Sequence, residues 1–439
     1  MVDRDQAAFS SAADTPSLAA EVSGTRAGAI VFIGVIALNI GNAAFHLLSA
    51  RILGPEQYSD VVSLLAASGL VTLPFSGVQY AFARVVSEDA ARGDTAAVSD
   101  FIHRALAMAL VAGAALTALL VALSPLIRSA LGVQKLSPVV LAALYTLPAL
   151  MAPALWGIAQ GLQRFGLISA SLVFGTVVRI GLLGALVPVG VGVGIVMGST
   201  LVAGIAALLI PLPFILGWLK TPRAAERRPV TIVVRSMAPV IAGTLAITSL
   251  TTVDLIAAKV ALPSHDAGVY GSASFIGRIL LYLPAPIATV LLPKVASRAA
   301  AARDTRAILH ASLAVTGVFS LVGTAIFVAM PHLIVQVSFG SKFAGAAPLL
   351  GLFGLAMTLY ALLNVQFVYH LGHGRESMAW LLVGGAVAQI AVYGLVHGST
   401  YQLIGANLGT AAVLVLIHEF AFEPTLPYAA SWLIRRVLP

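Results

Sequence analysis

The sequence contains no cysteine, which excludes disulfides, thiolate metal sites and a cysteine nucleophile. Charge is also scarce: charged residues make up 10% of the 439-residue chain, and only 17 residues are acidic. A soluble domain carries about a quarter charged residues, so an independent water-soluble domain is excluded. No Gly-Lys pair occurs anywhere, which removes the phosphate-cradling loop and ATP hydrolysis by that machinery. His418-Glu419 opens like a zinc-protease helix, but Phe422 stands where the second histidine belongs, so the two-histidine site fails. No catalytic residue, no metal and no cofactor is therefore expected.

Apolar residues are abundant, at 59% of the chain, which is the composition of a polytopic membrane protein. A helix needs about 20 apolar residues to cross the hydrocarbon core. Such runs fall at 27–50, 61–83, 105–127, 137–159, 167–187, 190–217, 236–262, 268–292, 307–330, 345–369, 377–396 and 401–422. The expected fold is all-α, with about twelve transmembrane helices. Residues 1–26 read as a disordered cytoplasmic tail, 27–219 as an N-terminal six-helix lobe and 220–235 as a basic cytoplasmic linker. Residues 236–422 form a C-terminal six-helix lobe, and 423–439 a second cytoplasmic tail. The connections between spans are too short for a folded extramembrane domain, so function is expected inside the bundle.

Basic residues set the orientation. With the N-terminus inside, Arg84, Arg92, Arg104, Arg164, Lys220, Arg223, Arg227, Arg228, Arg235 and most other basic residues are cytoplasmic. The outer ends receive Arg51, Arg128, Lys135, Lys259 and Lys342. Both termini are expected in the cytoplasm. The net charge of +8 reads as topology and contact with membrane lipids, not as nucleic-acid binding.

The two halves resemble each other. RVVSEDAARGDT at 84–95 aligns with KVASRAAAARDT at 294–305, ARILGP at 50–55 with AKVALP at 258–263, and Pro74 with Pro284. Six spans is an even number, so the repeats are parallel, about a pseudo-axis along the membrane normal, and such lobes enclose a substrate site. Pro148, Pro153, Pro284 and Pro286 interrupt spans, which lipid tolerates where neighbours or cavity water satisfy the freed carbonyls. Gly190, Gly194 and Gly198 recur every fourth residue and allow close helix approach. Both residues are common in membrane helices, and ordinary packing is the plainer reading of them.

A charge at mid-bilayer costs about 2.5 to 3.5 kcal/mol on the insertion scale, so it faces protein or water. Arg179 and Arg278 lie in the middle of spans, Asp254 lies inside the seventh, and Lys259 is farther out on the same helix. Tyr270, Ser274, Arg278 and Tyr282 are four apart and form one polar stripe. Asn39, Asn42 and His46 form another, and Tyr360, Gln366, Gln389 and Tyr393 are further polar positions. Arginine forks suit phosphate, and Asn, Tyr and His suit sugar hydroxyls. The functional reading is a cationic cavity for an anionic, hydroxyl-rich substrate, with Arg51 and Lys259 completing the basic set. The alternative is that Arg179 and Asp254 form structural pairs, Lys259 reaches the outer interface and His46 is a satisfied interior histidine.

SARILGPEQYS, at 49–59, resembles the opening of polysaccharide-biosynthesis membrane proteins, the Wzx-type oligosaccharide flippases. VDLIAAKVALPSHDAGVYGSASFIGRILLYLPAPIATVLLPKVAS, at 253–297, resembles the seventh and eighth spans of the same group. The resemblance implies the multidrug/oligosaccharidyl-lipid/polysaccharide exporter fold, with two six-helix pseudo-repeated lobes around a central V-shaped cavity lined by spans one, two, seven and eight. It implies a bacterial inner-membrane protein that moves polyprenyl-diphosphate-linked oligosaccharide, a cell-envelope precursor, to the outer leaflet by alternating access. Arg278, Lys259 and Asp254 match polar positions of the family, and Arg179 is added on physical grounds alone. Asp254 is the expected ion-coupling carboxylate, and envelope glycosyltransferases or a polymerase are the expected protein partners. Two alternatives are an ion-coupled amphiphile exporter that depends on Asp254, and a membrane glycosyltransferase using Glu56 or Asp60. Against the exporter, the first six spans contain no Asp or Glu away from their ends.

Overall fold

A computed structural model describes residues 18–190, 192–222, 238–282 and 304–437, with positions 284, 291, 295 and 298. The described backbone is helical, joined by short turns, and contains no strand. The chain begins with α1, Leu18–Thr72, which holds the first predicted span and the start of the second. The two are divided at Gly54, whose φ of 72° and ψ of 174° break the helix before Pro55. Glycine tolerates that positive φ, and proline supplies no N–H to continue the helix across it.

The N-terminal lobe continues with α2 (Ser76–Ala91), α3 (Thr95–Ala122), α4 (Ser124–Leu131), α5 (Leu136–Gly161) and α6 (Phe165–Leu186). It closes with α7 (Val193–Leu209) and α8 (Leu212–Trp218), which form one span bent by 44° at Pro211. The Asp94 carboxylate accepts from the Ala97 N–H at 2.9 Å and so fixes the start of α3. The C-terminal lobe contains α9 (Ala238–Ala261), α10 (Ser264–Tyr282), α11 (Arg306–Ala329), α12 (Pro331–Ser338) and α13 (Leu350–Gly372). It ends with α14 (Ser377–Leu395), α15 (Thr400–Ala421) and α16 (Leu426–Val437).

Nine described helices are long and apolar enough to cross a membrane, one of them running from Gly34 to Ala91. Divided at Gly54 that helix supplies two spans, the bent α7–α8 pair supplies another, and α10 completes the twelve predicted. The protein is a multi-pass membrane protein. The structure also extends the repeat: the third and ninth spans are each followed by an eight-residue helix, α4 and α12, with proline in its first turn and a left-handed glycine beyond it.

Two boundaries differ from expectation. Residues 18–26 are helical rather than part of a disordered tail, while 1–17 lie outside the described residues. Most of the 220–235 linker lies outside them too, as do Pro286 and most of the second copy of the 84–95 repeat. The stretch 423–439 is not a plain tail, because α16 buries Ala429 and packs Trp432 and Leu433 against the C-terminal lobe. The amphipathic spacing of those residues outweighs the break expected from Pro424 and Pro427, which stand before and at the helix start, where proline is tolerated.

Packing shows how the lobes meet. The largest apolar core joins Phe45, Tyr58, Leu131, Val139, Leu183 and Met197 to Leu255, Tyr270, Phe339, Phe343 and Phe353 without a break. All the N-lobe members lie toward the end that carries Arg51 and Lys259, called here the far end. Toward the opposite, basic end the N-lobe has a core of its own, with Phe82, Val86, Phe101, Ile102, Leu155 and Ile158. The C-lobe has another there, with Leu309, Leu313, Val365 and Tyr369. The lobes are therefore fused at the far end and separately cored toward the basic end, which is the V-shaped arrangement.

Glycine permits close packing against backbone within the N-lobe. A Cβ on Gly157 would lie 2.5 Å from the Gln79 carbonyl oxygen, and one on Gly161 would lie 2.7 Å from that of Ala83. Since backbone cannot yield as a side chain does, Gly157→Ala is expected to cost about 1–3 kcal/mol by overpacking. Gly384→Ala, which meets nothing within 4 Å, is expected to be neutral or slightly stabilising. Thermal unfolding of the two purified variants checks the contrast.

Candidate substrate cavity

The N-lobe side of the cleft is built by α1, α6 and α7. Glycine lets α1 and α6 approach: a Cβ on Gly34 would stand 2.8 Å from Ser169, and one on Gly41 would collide with Thr176. That approach brings Arg179 of α6 to Asn42 of α1, with Nη1 donating to Oδ1 at 3.0 Å. The Arg179 Nε donates to Thr200 Oγ1 of α7 at 3.2 Å, and the Thr200 hydroxyl donates in turn to the Val196 carbonyl at 3.0 Å. The guanidinium carbon sits 3.4 Å from the centroid of the Phe45 ring, a cation–π arrangement. Every one of these partners is neutral, and no carboxylate among the described residues pairs with Arg179. Asn39, one turn toward the basic end, is exposed.

The C-lobe side is organised differently. Asp254 of α9 is fully buried, and it gathers three members of the α10 stripe. Its Oδ2 accepts from Tyr270 OH at 3.1 Å and Ser274 Oγ at 3.3 Å, while Oδ1 accepts from Arg278 Nη2 at 3.2 Å. The Arg278 side chain keeps 14% exposure where Asp254 has none, and its buried Nε has no hydrogen-bond partner. The carboxylate is thus enclosed, while the arginine is partly exposed and keeps one N–H without an acceptor among the described residues. Tyr282, the fourth member of the stripe, is exposed and stands apart from this cluster.

His46 of α1 faces the C-lobe. Its Nδ1 shares a hydrogen bond of 3.0 Å with Tyr58 OH, and its ring lies 4.3 Å from that of Phe275 on the C-lobe. Asn42, the partner of Arg179, stands one turn before His46 on α1, and Phe275 stands one turn before Arg278 on α10, so this contact joins the turn that holds Arg179 to the turn that carries Arg278. A satisfied interior histidine that bridges the lobes is its observed position.

Two residues of the expected basic set lie elsewhere. Lys259 is buried in the far-end seam, bound to Asp60, and Arg51 is spent on carbonyls of α12. Neither extends the Arg179–Arg278 region. Tyr360, Gln389 and Tyr393 are buried within the C-lobe, where Gln389 Nε2 donates to Tyr360 OH at 3.0 Å. Gln366 donates to Glu419 and Thr425 near the basic end. Phe45, Thr200 and Phe275 were not singled out in the sequence. Phe45 was legible in principle, three residues from Asn42 and on its face, whereas Thr200 and Phe275 carry no sequence signal of their own. Among the described residues no group of three or more His, Cys, Asp or Glu side chains could hold a metal ion.

Residues 26–299 match the model of a family described as polysaccharide biosynthesis protein. No curated protein sequence matches the chain. In fold it is similar to an inward-facing multidrug resistance MATE family transporter of the MOP superfamily, with a TM-score of 0.72 and 14% identity over 93% of this chain and 100% of that one. It is similar to lipid II flippase MurJ in an inward closed conformation, with a TM-score of 0.69 and 14% identity over 92% of this chain and 90% of the other. A MOP superfamily transporter from Pyrococcus furiosus gives 0.61 at 15% identity, covering 91% and 95% of the two chains.

Proposed function

The chain belongs to the polysaccharide biosynthesis protein family, and from that membership and the placement of Arg179 and Arg278 we propose that it is a flippase for polyprenyl-diphosphate-linked oligosaccharide. It works in a bacterial inner membrane with both termini in the cytoplasm, and it moves the substrate from the inner to the outer leaflet. The observation that carries this reading is Arg179, a cation inside the bundle whose described partners are all neutral. A lone charge in such a place is costly, and a diphosphate bound there supplies the missing counter-charge through bidentate hydrogen bonds.

A diphosphate and its sugars cannot cross hydrocarbon unaided. In the proposed cycle they enter the cleft from the basic end, while the polyprenyl tail stays in lipid between the lobes. Arg179 takes the diphosphate, and Asn39 and Asn42 meet sugar hydroxyls. Arg278 joins when Asp254 is neutralised by a proton or another cation, which releases the guanidinium from its 3.2 Å pairing. Asp254 thereby couples an ion to substrate capture without facing the cleft itself. Rocking of one lobe against the other then exposes the substrate at the far end. Binding and release suffice for this cycle, and no bond is made or broken.

The fold likeness to a MATE transporter supports a second reading, ion-coupled export of small amphiphiles. A cationic drug would meet Arg179 and Arg278 before any free carboxylate, so the second reading suits only neutral or anionic amphiphiles. A glycosyltransferase using Asp60 is disfavoured by geometry, because that carboxylate is held by Lys259 in the far-end seam.

Ligand-linked stability separates the readings. At a concentration a hundredfold above its dissociation constant, a ligand adds about 2.7 kcal/mol to the folded state. Polyprenyl-diphosphate sugar is expected to raise the melting temperature of wild type and not of Arg179→Ala, and cationic amphiphiles to raise neither. Stabilisation by amphiphiles alone would reverse the assignment.

A further inference from the structure

The repeat that aligns ARILGP with AKVALP places Arg51 and Lys259 at equivalent positions in the two lobes, and each crosses to the other lobe. Lys259 Nζ lies 2.6 Å from Asp60 Oδ1 and donates to Ser59 Oγ at 2.9 Å, both on α1. Arg51 Nε donates to the Ser338 carbonyl at 3.0 Å, and its Nη2 to that of Val337, at the end of α12. A helix C-terminus presents unpaired carbonyls and partial negative charge, so this contact too is between opposite charges. Around them the seam is closed by Tyr58 packing on Phe339 and Phe343. Gly268 adds a backbone approach, since a Cβ there would overlap the Pro55 carbonyl.

We propose that Arg51 and Lys259 are paired, pseudo-symmetric bolts of a far-end gate: each lobe contributes one cation that holds the other lobe shut, and opening to the far side requires both to release. This inference rests on the transporter reading but not on the identity of the substrate. The use of ions rather than apolar side chains has a physical sense. A desolvated ion pair gains little net stability because both charges recover hydration on separation, whereas an apolar pair of similar size loses on exposure. An ionic bolt therefore holds register while leaving the gate able to open.

The two kinds of substitution have opposite expected signs. Asp60→Asn leaves Lys259 charged in the closed seam, so closure is penalised. Asp60→Leu combined with Lys259→Met leaves an apolar contact, so closure is favoured. The chain is free of cysteine, so spin labels can be placed singly through Leu126→Cys on α4 and Leu333→Cys on α12, both exposed. Pulsed electron–electron distance measurements on the full chain in lipid nanodiscs then read the separation of the lobes without any substrate.

Asp60→Asn is expected to raise the far-end-open population about tenfold or more, equivalent to about 1.4 kcal/mol, and the apolar double variant to lower it below wild type. Arg51→Gln is expected to act in the direction of Asp60→Asn, and it serves as the readout for the open state should Asp60→Asn fail to fold. Unchanged distances in Asp60→Asn and Arg51→Gln, or a double variant that opens the gate, would overturn the proposal. Failure of the flippase reading appears instead as absence of lipid-sugar binding or movement, and leaves these distances unaffected.

Discussion

Arg179→Ala is expected to lower transport of polyprenyl-diphosphate glycan about 10- to 100-fold while leaving the fold intact. A hydrogen bond to a charged group contributes about 1.5–3 kcal/mol, and each 1.4 kcal/mol is a factor of ten. The range corresponds to about one such bond to a phosphate oxygen. Stability is expected to hold or rise, because the alanine removes a charge that has only Asn42, Thr200 and the Phe45 ring as described partners. That combination distinguishes a binding arginine from a structural one, whose removal would lower the melting temperature together with activity. Arg179→Lys keeps the charge but not the planar fork, and is expected to fall between wild type and alanine. Initial rates of glycan movement in proteoliposomes, beside thermal unfolding of the same preparations, give both readouts.

Asp254→Ala is expected to have the opposite profile. It leaves Arg278 without its only carboxylate among the described residues and strands the hydroxyls of Tyr270 and Ser274. Breaking a buried pair from one side costs about 3–5 kcal/mol, whereas replacing both partners with apolar residues is often close to neutral. The Asp254→Ala/Arg278→Met double variant is therefore expected to recover most of the lost stability. It should not recover transport, because Arg278 has been removed from the cleft. Equal melting temperatures for the single and double variants would mean that the pair is not the unit the geometry suggests.

The twelve spans, the even division into lobes and the polar positions were legible because each depends on residues close in sequence. The four-residue spacing of Tyr270, Ser274 and Arg278 placed them on one face, and all three meet the same carboxylate. Periodicity does not say which helix that face meets. The pairing of Arg278 with Asp254, of Arg179 with Asn42 and of Lys259 with Asp60 joins different helices, the last across the lobe boundary. Composition likewise does not say which cations lie in the seam between the lobes. Arg51 and Lys259 carry the same charge as Arg179 and Arg278, and the packing of α1 against α9, α10 and α12 distinguishes them. The docked α16 is not legible from polarity and proline content, because amphipathic packing against the C-terminal lobe decides it.

The most direct test of the flippase reading is leaflet accessibility of a polyprenyl-diphosphate glycan in proteoliposomes containing wild type, Arg179→Ala or Arg278→Ala. A headgroup-modifying reagent confined to one side reports how much substrate has crossed. The expected result is protein-dependent movement with wild type that is strongly reduced in both arginine variants. Movement no faster than in protein-free liposomes for several such glycans, or equal movement by wild type and both variants, would contradict it.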